Sequence, residues 1–308
     1  MGEKWPYSFN LSVVAEEIDE DPRVAFPFAQ QLGATHVEFG SLWGRRVSEW
    51  SDVELQSTQD ELERLDLQVA MIGPSTFKTV LLAHVSLAEI EEDPHFQSEM
   101  EAMRRTMELA HFFGAPLVRT FSFRREGMVG LGNPSPRLPR GGEIPTEIMD
   151  KIRKGLGLIC ELAEKQDVDL GLENVRSCWA NTGWNARRIV EAVGSPRLKV
   201  VWDSANAFVS GEEEAYPEGY GQVKPYMAHM HAKDARVVDP SIGLTTWERI
   251  GDGEVDYRGQ MAALIRDGYT GSVSIETHYN PPGKMPAEAT QLTTEGLLEI
   301  LASVSDRT

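Results

Sequence analysis

What constrains this chain most is a repeated alternation. Eight short apolar runs recur along it: YSFNLSVV (7–14), THVEFG (35–40), LQVAMIG (67–73), PLVRTFSF (116–123), VDLGLEN (168–174), LKVVWD (198–203), MAHMHAKD (227–234) and GSVSIETH (271–278). Between them lie longer segments such as DVELQSTQDELERL, FQSEMEAMRRTMELAHFFG, PTEIMDKIRKGLGLICELAEK, NARRIVEAVG and DYRGQMAALIRDG, with apolar residues at three- and four-residue spacing. Runs of that length bounded by turns suit buried parallel strands, and the longer spacing suits amphipathic helices. Gly33, Gly114, Gly194 and Gly268 stand where helical segments end, as glycine often does at a helix C-terminus. Eight such units predict an α/β fold, a (β/α)8 TIM barrel forming a single domain over residues 1–308. An open doubly wound sheet fits less well, because the first βα turn has no GxGxxG. The glycine pairs in VGLGNPSP (129–136) and GDGEVD (251–256) do not lie between a strand and a helix, and both read as loops.

Composition narrows the function by exclusion. The 308 residues carry a formal net charge of −18, whereas a protein gripping nucleic acid through phosphates needs a clustered basic surface. No run approaches the roughly 20 apolar residues of a membrane helix. The N-terminus lacks the basic and apolar regions of a signal peptide. Two cysteines, Cys160 and Cys178, supply neither a disulfide framework nor metal-ligand spacing, so a reducing cytoplasm is expected.

In a barrel of this kind the chemistry sits at the C-terminal ends of the strands. The fifth expected strand ends in Glu173, the sixth in Asp203, the seventh carries His231 and the eighth ends in Glu276, successively 30, 28 and 45 residues apart. Each occupies the equivalent place in its unit, so the four are expected to converge on one side of the barrel mouth. Three carboxylates and an imidazole suit one divalent cation, Mn2+ first, with Mg2+ or Co2+ as alternatives. Alternation along MAHMHAKD puts His229, His231 and Lys233 on one face, with His231 nearer the mouth, His229 deeper, and Asp234 and Arg236 where the strand becomes a loop.

These residues resemble a known group. GLEN (171–174), VWDSAN (201–206), HMHAKDA (229–235), GDGEVDY (251–257) and SIETHY (274–279) look like the sugar phosphate isomerase/epimerase group of xylose-isomerase-like barrels. The resemblance implies that Glu173, Asp203, His231 and Glu276 hold a single divalent metal, and that Glu173 and Glu276 double as the acid/base pair. Arg236 matches a substrate-contacting position in some ketose epimerases. Where the endonuclease branch of the group has a histidine three residues after the aspartate, this chain has Asn206, a departure that speaks against DNA repair. Dimers and tetramers are common in the group, which leaves a homo-oligomer open.

The chemistry expected is proton transfer beside the carbonyl of a sugar or keto-sugar, through a metal-stabilised enediolate. Return of the proton to the other face gives epimerisation, and return to the neighbouring carbon gives isomerisation. Loss of a group from the β-carbon would instead make a lyase or dehydratase acting on a keto-sugar, inosose or 3-keto-glycoside. Substrate contacts are expected from Arg236, His229, Lys233, Arg119, Asn206 and Asn174, the two asparagines also as supports for the ligands. Trp43, Trp179 and Trp247 fall in expected loops as candidate walls. The long loop after the fourth strand, with Arg124, Arg125, Arg137 and Arg140, reads as a lid or binding segment.

Overall fold

A computed structural model describes residues 5–128 and 134–305. Among the described residues ten strands occur in chain order: β1 Asn10–Val14, β2 His36–Phe39, β3 Gln68–Ile72, β4 Leu117–Thr120, β5 Asp169–Glu173, β6 Leu198–Asp203, β7 Met227–Ala232, β8 Asp234–Asp239, β9 Leu244–Glu248 and β10 Ser272–Ile275. β1 to β7 and β10 pair in parallel and close into a barrel, in the order β1-β10-β7-β6-β5-β4-β3-β2. Closure is made by Asn10 to Val13 lying beside Ser272 to Ile275. The eight sequence runs are these eight strands, each trimmed by up to a few residues except LKVVWD, which matches β6 end to end.

Seven helices of ten residues or more cover the barrel among the described residues, with shorter ones at Ser204–Val209 and Tyr220–Val223. The core lies between strands and helices, where Val37, Ile72, Val118, Leu170, Val200, Met230 and Val273 meet helix residues such as Phe26, Met103, Ile159 and Leu264. Each of these removes apolar surface from water at roughly 25 cal/mol per Å2. Gly33, Gly114, Gly194 and Gly268 all take positive φ at the ends of helices. No helix among the described residues is long and apolar enough to cross a membrane.

The structure departs from the sequence expectation in three places. β8 and β9 form an antiparallel hairpin where a loop was expected, so Asp234, Arg236 and Trp247 lie on strands. Helices also cover Pro22–Gln31 and Pro286–Ser305, segments not picked out by apolar spacing. Of the VGLGNPSP loop, residues 129–133 lie outside the described residues.

Candidate active site

Four consecutive barrel positions bring the expected ligands together. Glu173 ends β5, Asp203 ends β6, His231 lies in β7 and Glu276 follows β10, and these four strands are neighbours in the order β10-β7-β6-β5. One donor atom from each of the four lies within 4.8 Å of all the others. The cluster is buried: Glu173 is 2% exposed, and Asp203 and His231 not at all.

Two of the four, Asp203 and Glu173, are held from behind. Asn174 Nδ2 donates to the Asp203 carbonyl and its Oδ1 accepts from the Asp203 N–H, both at 2.8 Å. Asp203 Oδ1 caps the helix Ser204–Val209 by accepting from Asn206 N at 2.7 Å. Asn206 Nδ2 reaches back to Asp203 Oδ2 at 2.8 Å and Glu173 Oε1 at 3.3 Å. The two asparagines are therefore engaged with Asp203 and Glu173 themselves.

Two cations neutralise the cluster. Arg119 Nη1 lies 3.0 Å from Glu173 Oε2 and 3.5 Å from Glu38 Oε1. Lys233 Nζ lies 2.8 Å from Asp203 Oδ2, also contacts Glu276 Oε2, and sits over the Trp247 ring. Burial opposes the Lys233 charge, but Asp203 and Glu276 outweigh it and hold the amine above its ordinary range. Lys233 is thus an ammonium, unsuited to Schiff-base chemistry. Burial alone would raise Glu173, yet Arg119 and His231 hold it below the usual carboxylate range. Lys233 and His231 likewise overcome burial at Glu276, holding it well below. At Asp203 burial wins and the carboxyl is raised.

Whether a cation fits is tested by the atoms left over. His231 Nδ1 is buried without a hydrogen-bond partner, 3.6 Å from Glu173 Oε1 and 3.3 Å from Glu276 Oε2, while Glu173 Oε2 is left with the Arg119 ion pair. Buried polar atoms in this condition are rare and costly. A divalent cation among these hard oxygen and nitrogen donors satisfies them, so the residues fit the group.

The remaining expected contacts separate by depth. His229 is deeper, with Nε2 3.1 Å from Glu38 Oε2 and 2.9 Å from Ser274 Oγ. Arg236 does not join the cluster: it is exposed on β8, donates to the Asp252 carbonyl, and its Nε lies 4.0 Å from Glu248. The hairpin carries it outward, whereas a loop would have left it free to fold over the mouth. Arg124, Arg125 and Arg137 donate to the carbonyls of Met128, Gly141 and Phe208, and Arg140 stacks on Trp184. Trp43 donates to Thr58, and Trp179 is buried under Arg125. Trp247 faces the site, packing edge-on against His278, beside a cavity of about 370 Å3 also lined by Glu17, Thr277 and Tyr279.

Sequence reasoning missed two acids. Glu38, at the end of β2, sits beneath the cluster, and the strand-end rule applied to THVEFG would have found it. Glu17, just after β1, joins Glu276 and His278 in a second group of close donor atoms, but its run gave no such signal.

A closed parallel barrel with a buried carboxylate–histidine cluster at its C-terminal mouth defines the class. The chain belongs to the xylose isomerase-like TIM barrel family, whose model matches residues 26–297. An uncharacterized protein of Methanocaldococcus jannaschii is 28% identical over 134 residues, 42% of this chain and 44% of that protein, so less than half of that relative is spanned. An inosose isomerase of Bacillus velezensis is 28% identical over 214 residues, 68% of this chain and 67% of that protein. Among solved structures, the IOLI protein with a bound zinc atom superposes with a TM-score of 0.72 at 18% identity, covering 96% of this chain and 99% of that one. An L-ribulose 3-epimerase gives 0.70 at 14%, covering 97% and 96%. The probable 3-DHS dehydratase AsbF of Bacillus anthracis gives 0.65 at 16%, covering 94% and 99%. At these identities the structural likeness is one of fold.

Proposed function

We propose that the protein is a divalent-metal-dependent isomerase or epimerase acting on a sugar or keto-sugar by proton transfer beside a carbonyl. The observation that carries this reading is the convergence of Glu173, Asp203, His231 and Glu276, with the buried His231 Nδ1 lacking a hydrogen-bond partner. The similarity to an inosose isomerase supports it. A divalent cation held by these four, Mn2+ first with Mg2+ or Co2+ as alternatives, supplies Lewis acidity that polarises the substrate carbonyl.

The protein's own groups do the rest. Glu173 and Glu276 enter from β5 and from beyond β10, with β6 and β7 between them, so they approach a substrate from different directions. Both are held ionised by neighbouring cations, the state a base requires. One, ionised, takes the carbon-bound proton; the other first takes a proton from solvent and returns it to carbon, and the first then releases its own to solvent to close the cycle. Lys233 keeps Asp203 and Glu276 from repelling each other while the proton moves.

The test is NMR in deuterated solvent with ketoses and inososes as candidate substrates. Deuterium entering a product of unchanged composition is expected, lost on chelation. Replacing Glu173 or Glu276 by Gln should lower the rate by about 10²–10⁴-fold. Release of water or an aglycone would instead identify a lyase, and metal-independent exchange would overturn the proposal.

A further inference from the structure

We propose that Glu38 is a positioning residue that fixes which nitrogen of His231 faces the cation site, an inference that rests on the metal-site reading above. Glu38 is 1% exposed and lies at the floor of the mouth. Its Oε2 stands 3.0 Å from His231 Nε2, and its Oε1 stands 3.2 Å from the same atom. A carboxylate can only accept, so Nε2 carries the proton. Nδ1 is then the atom left for a ligand, and it is the buried nitrogen without a partner that stands near Glu173 and Glu276.

Glu38 is itself fixed from three sides. His229 Nε2 lies 3.1 Å from its Oε2, Arg119 Nη1 lies 3.5 Å from its Oε1, and His231 completes the set. The two imidazoles stand edge to face, 5.5 Å apart at an interplanar angle of 88°, so one carboxylate orders both rings. His229 then has a structural part of its own: it anchors Glu38 from below, and Ser274 holds His229 in turn. Arg119 links Glu38 to Glu173, so the residue that aims the histidine and one of its fellow ligands share a guanidinium. Carboxylate–histidine–metal arrangements hold the ring orientation and raise ligand basicity, and losing the outer carboxylate typically weakens metal binding 10–100-fold.

The experiment is a calorimetric titration of the chelator-treated full chain with Mn2+ and Zn2+, wild type beside Glu38→Gln and Ser274→Ala. Glu38→Gln is expected to bind both ions 10–100-fold more weakly, and Ser274→Ala less than threefold more weakly. Glu38→Gln binding as the wild type does would overturn the proposal. Wild type binding neither ion would overturn the metal-site reading itself, which is a separate failure. Nitrogen-15 NMR of the zinc-loaded wild type gives a check that needs no variant. His231 should show a protonated, hydrogen-bonded Nε2 and a ligated Nδ1, and ligation through Nε2 would refute the proposal.

Discussion

Lys233 is the residue on which the charge balance of the mouth turns. It is 2% exposed and bridges two carboxylates, so replacing it strands two negative charges in a buried setting. Removing one partner of a buried ion pair typically costs about 3–5 kcal/mol. Lys233→Met is therefore expected to lose that much stability in urea unfolding with chelator present. Saturating Mn2+ should recover much of the deficit, because a cation among the same carboxylates replaces the missing charge. A deficit unchanged by metal would mean that ammonium and cation do not act on the same groups. Glu17 carries a pH signature of its own. Burial, and then the neighbouring Glu276, push its carboxyl from 4.5 up to about 8. The folded chain thus keeps a proton that the unfolded chain releases near pH 4.5, and its contribution to stability declines as pH rises from there towards 8. In metal-free protein followed from pH 5 to 9, Glu17→Gln should show a shallower decline than wild type.

The β8–β9 hairpin shows what an element can hide from its sequence. KDARVVD reads as a charged stretch, yet the Asp234 carboxylate accepts from the N–H groups of Gly251, Gly253 and Val255 at 2.9 to 3.2 Å. It thereby pins the GDGEVD loop under the hairpin. A Cβ on Gly253 would stand 2.1 Å from Asp234 Oδ1 and 2.7 Å from the Ala235 carbonyl oxygen. Gly253→Ala should cost about 1–3 kcal/mol in denaturant unfolding, with Mn2+ affinity within about threefold of wild type, since none of the four ligands moves. The same hidden long-range contacts explain what else the sequence left unread. The eight barrel strands were legible because apolar runs bounded by turns are local signals. Helix Pro286–Ser305 was not: Gly296 interrupts its pattern, and the reason lies elsewhere, since a Cβ there would sit 2.1 Å from the Ile250 carbonyl oxygen. Pro22–Gln31 contains Pro27, a residue that ordinarily argues against a helix. The convergence of Glu173, Asp203, His231 and Glu276 was legible from strand-end spacing, while Arg236 was misplaced because a hairpin depends on pairing that a single segment does not announce.

At the scale of the whole molecule, a chain of net charge −18 gathers several of its acids at one end of the barrel. Among the described residues, Glu173, Asp203, Glu276 and Glu38 face Arg119 and Lys233 as permanent cations, with the imidazoles of His229, His231 and His278 beside them. A divalent cation that binds the folded barrel and not the unfolded chain must stabilise it by mass action. At a hundredfold excess over the dissociation constant the gain is about 2.7 kcal/mol. With an unfolding entropy of about 2.1 cal/mol/K per residue, each kcal/mol raises the melting temperature of a chain of 308 residues by about 1.5 °C, so a rise of roughly 4 °C is expected on adding Mn2+ to chelator-treated protein. Surface acids such as Glu213 and Glu214 also attract cations, but that attraction is screened by salt and does not depend on the cluster. Measured at 0.15 M NaCl, wild type should therefore show the shift and Asp203→Asn should show little of it. Equal shifts in both would assign the stabilisation to the acidic surface and remove the barrel mouth from the account.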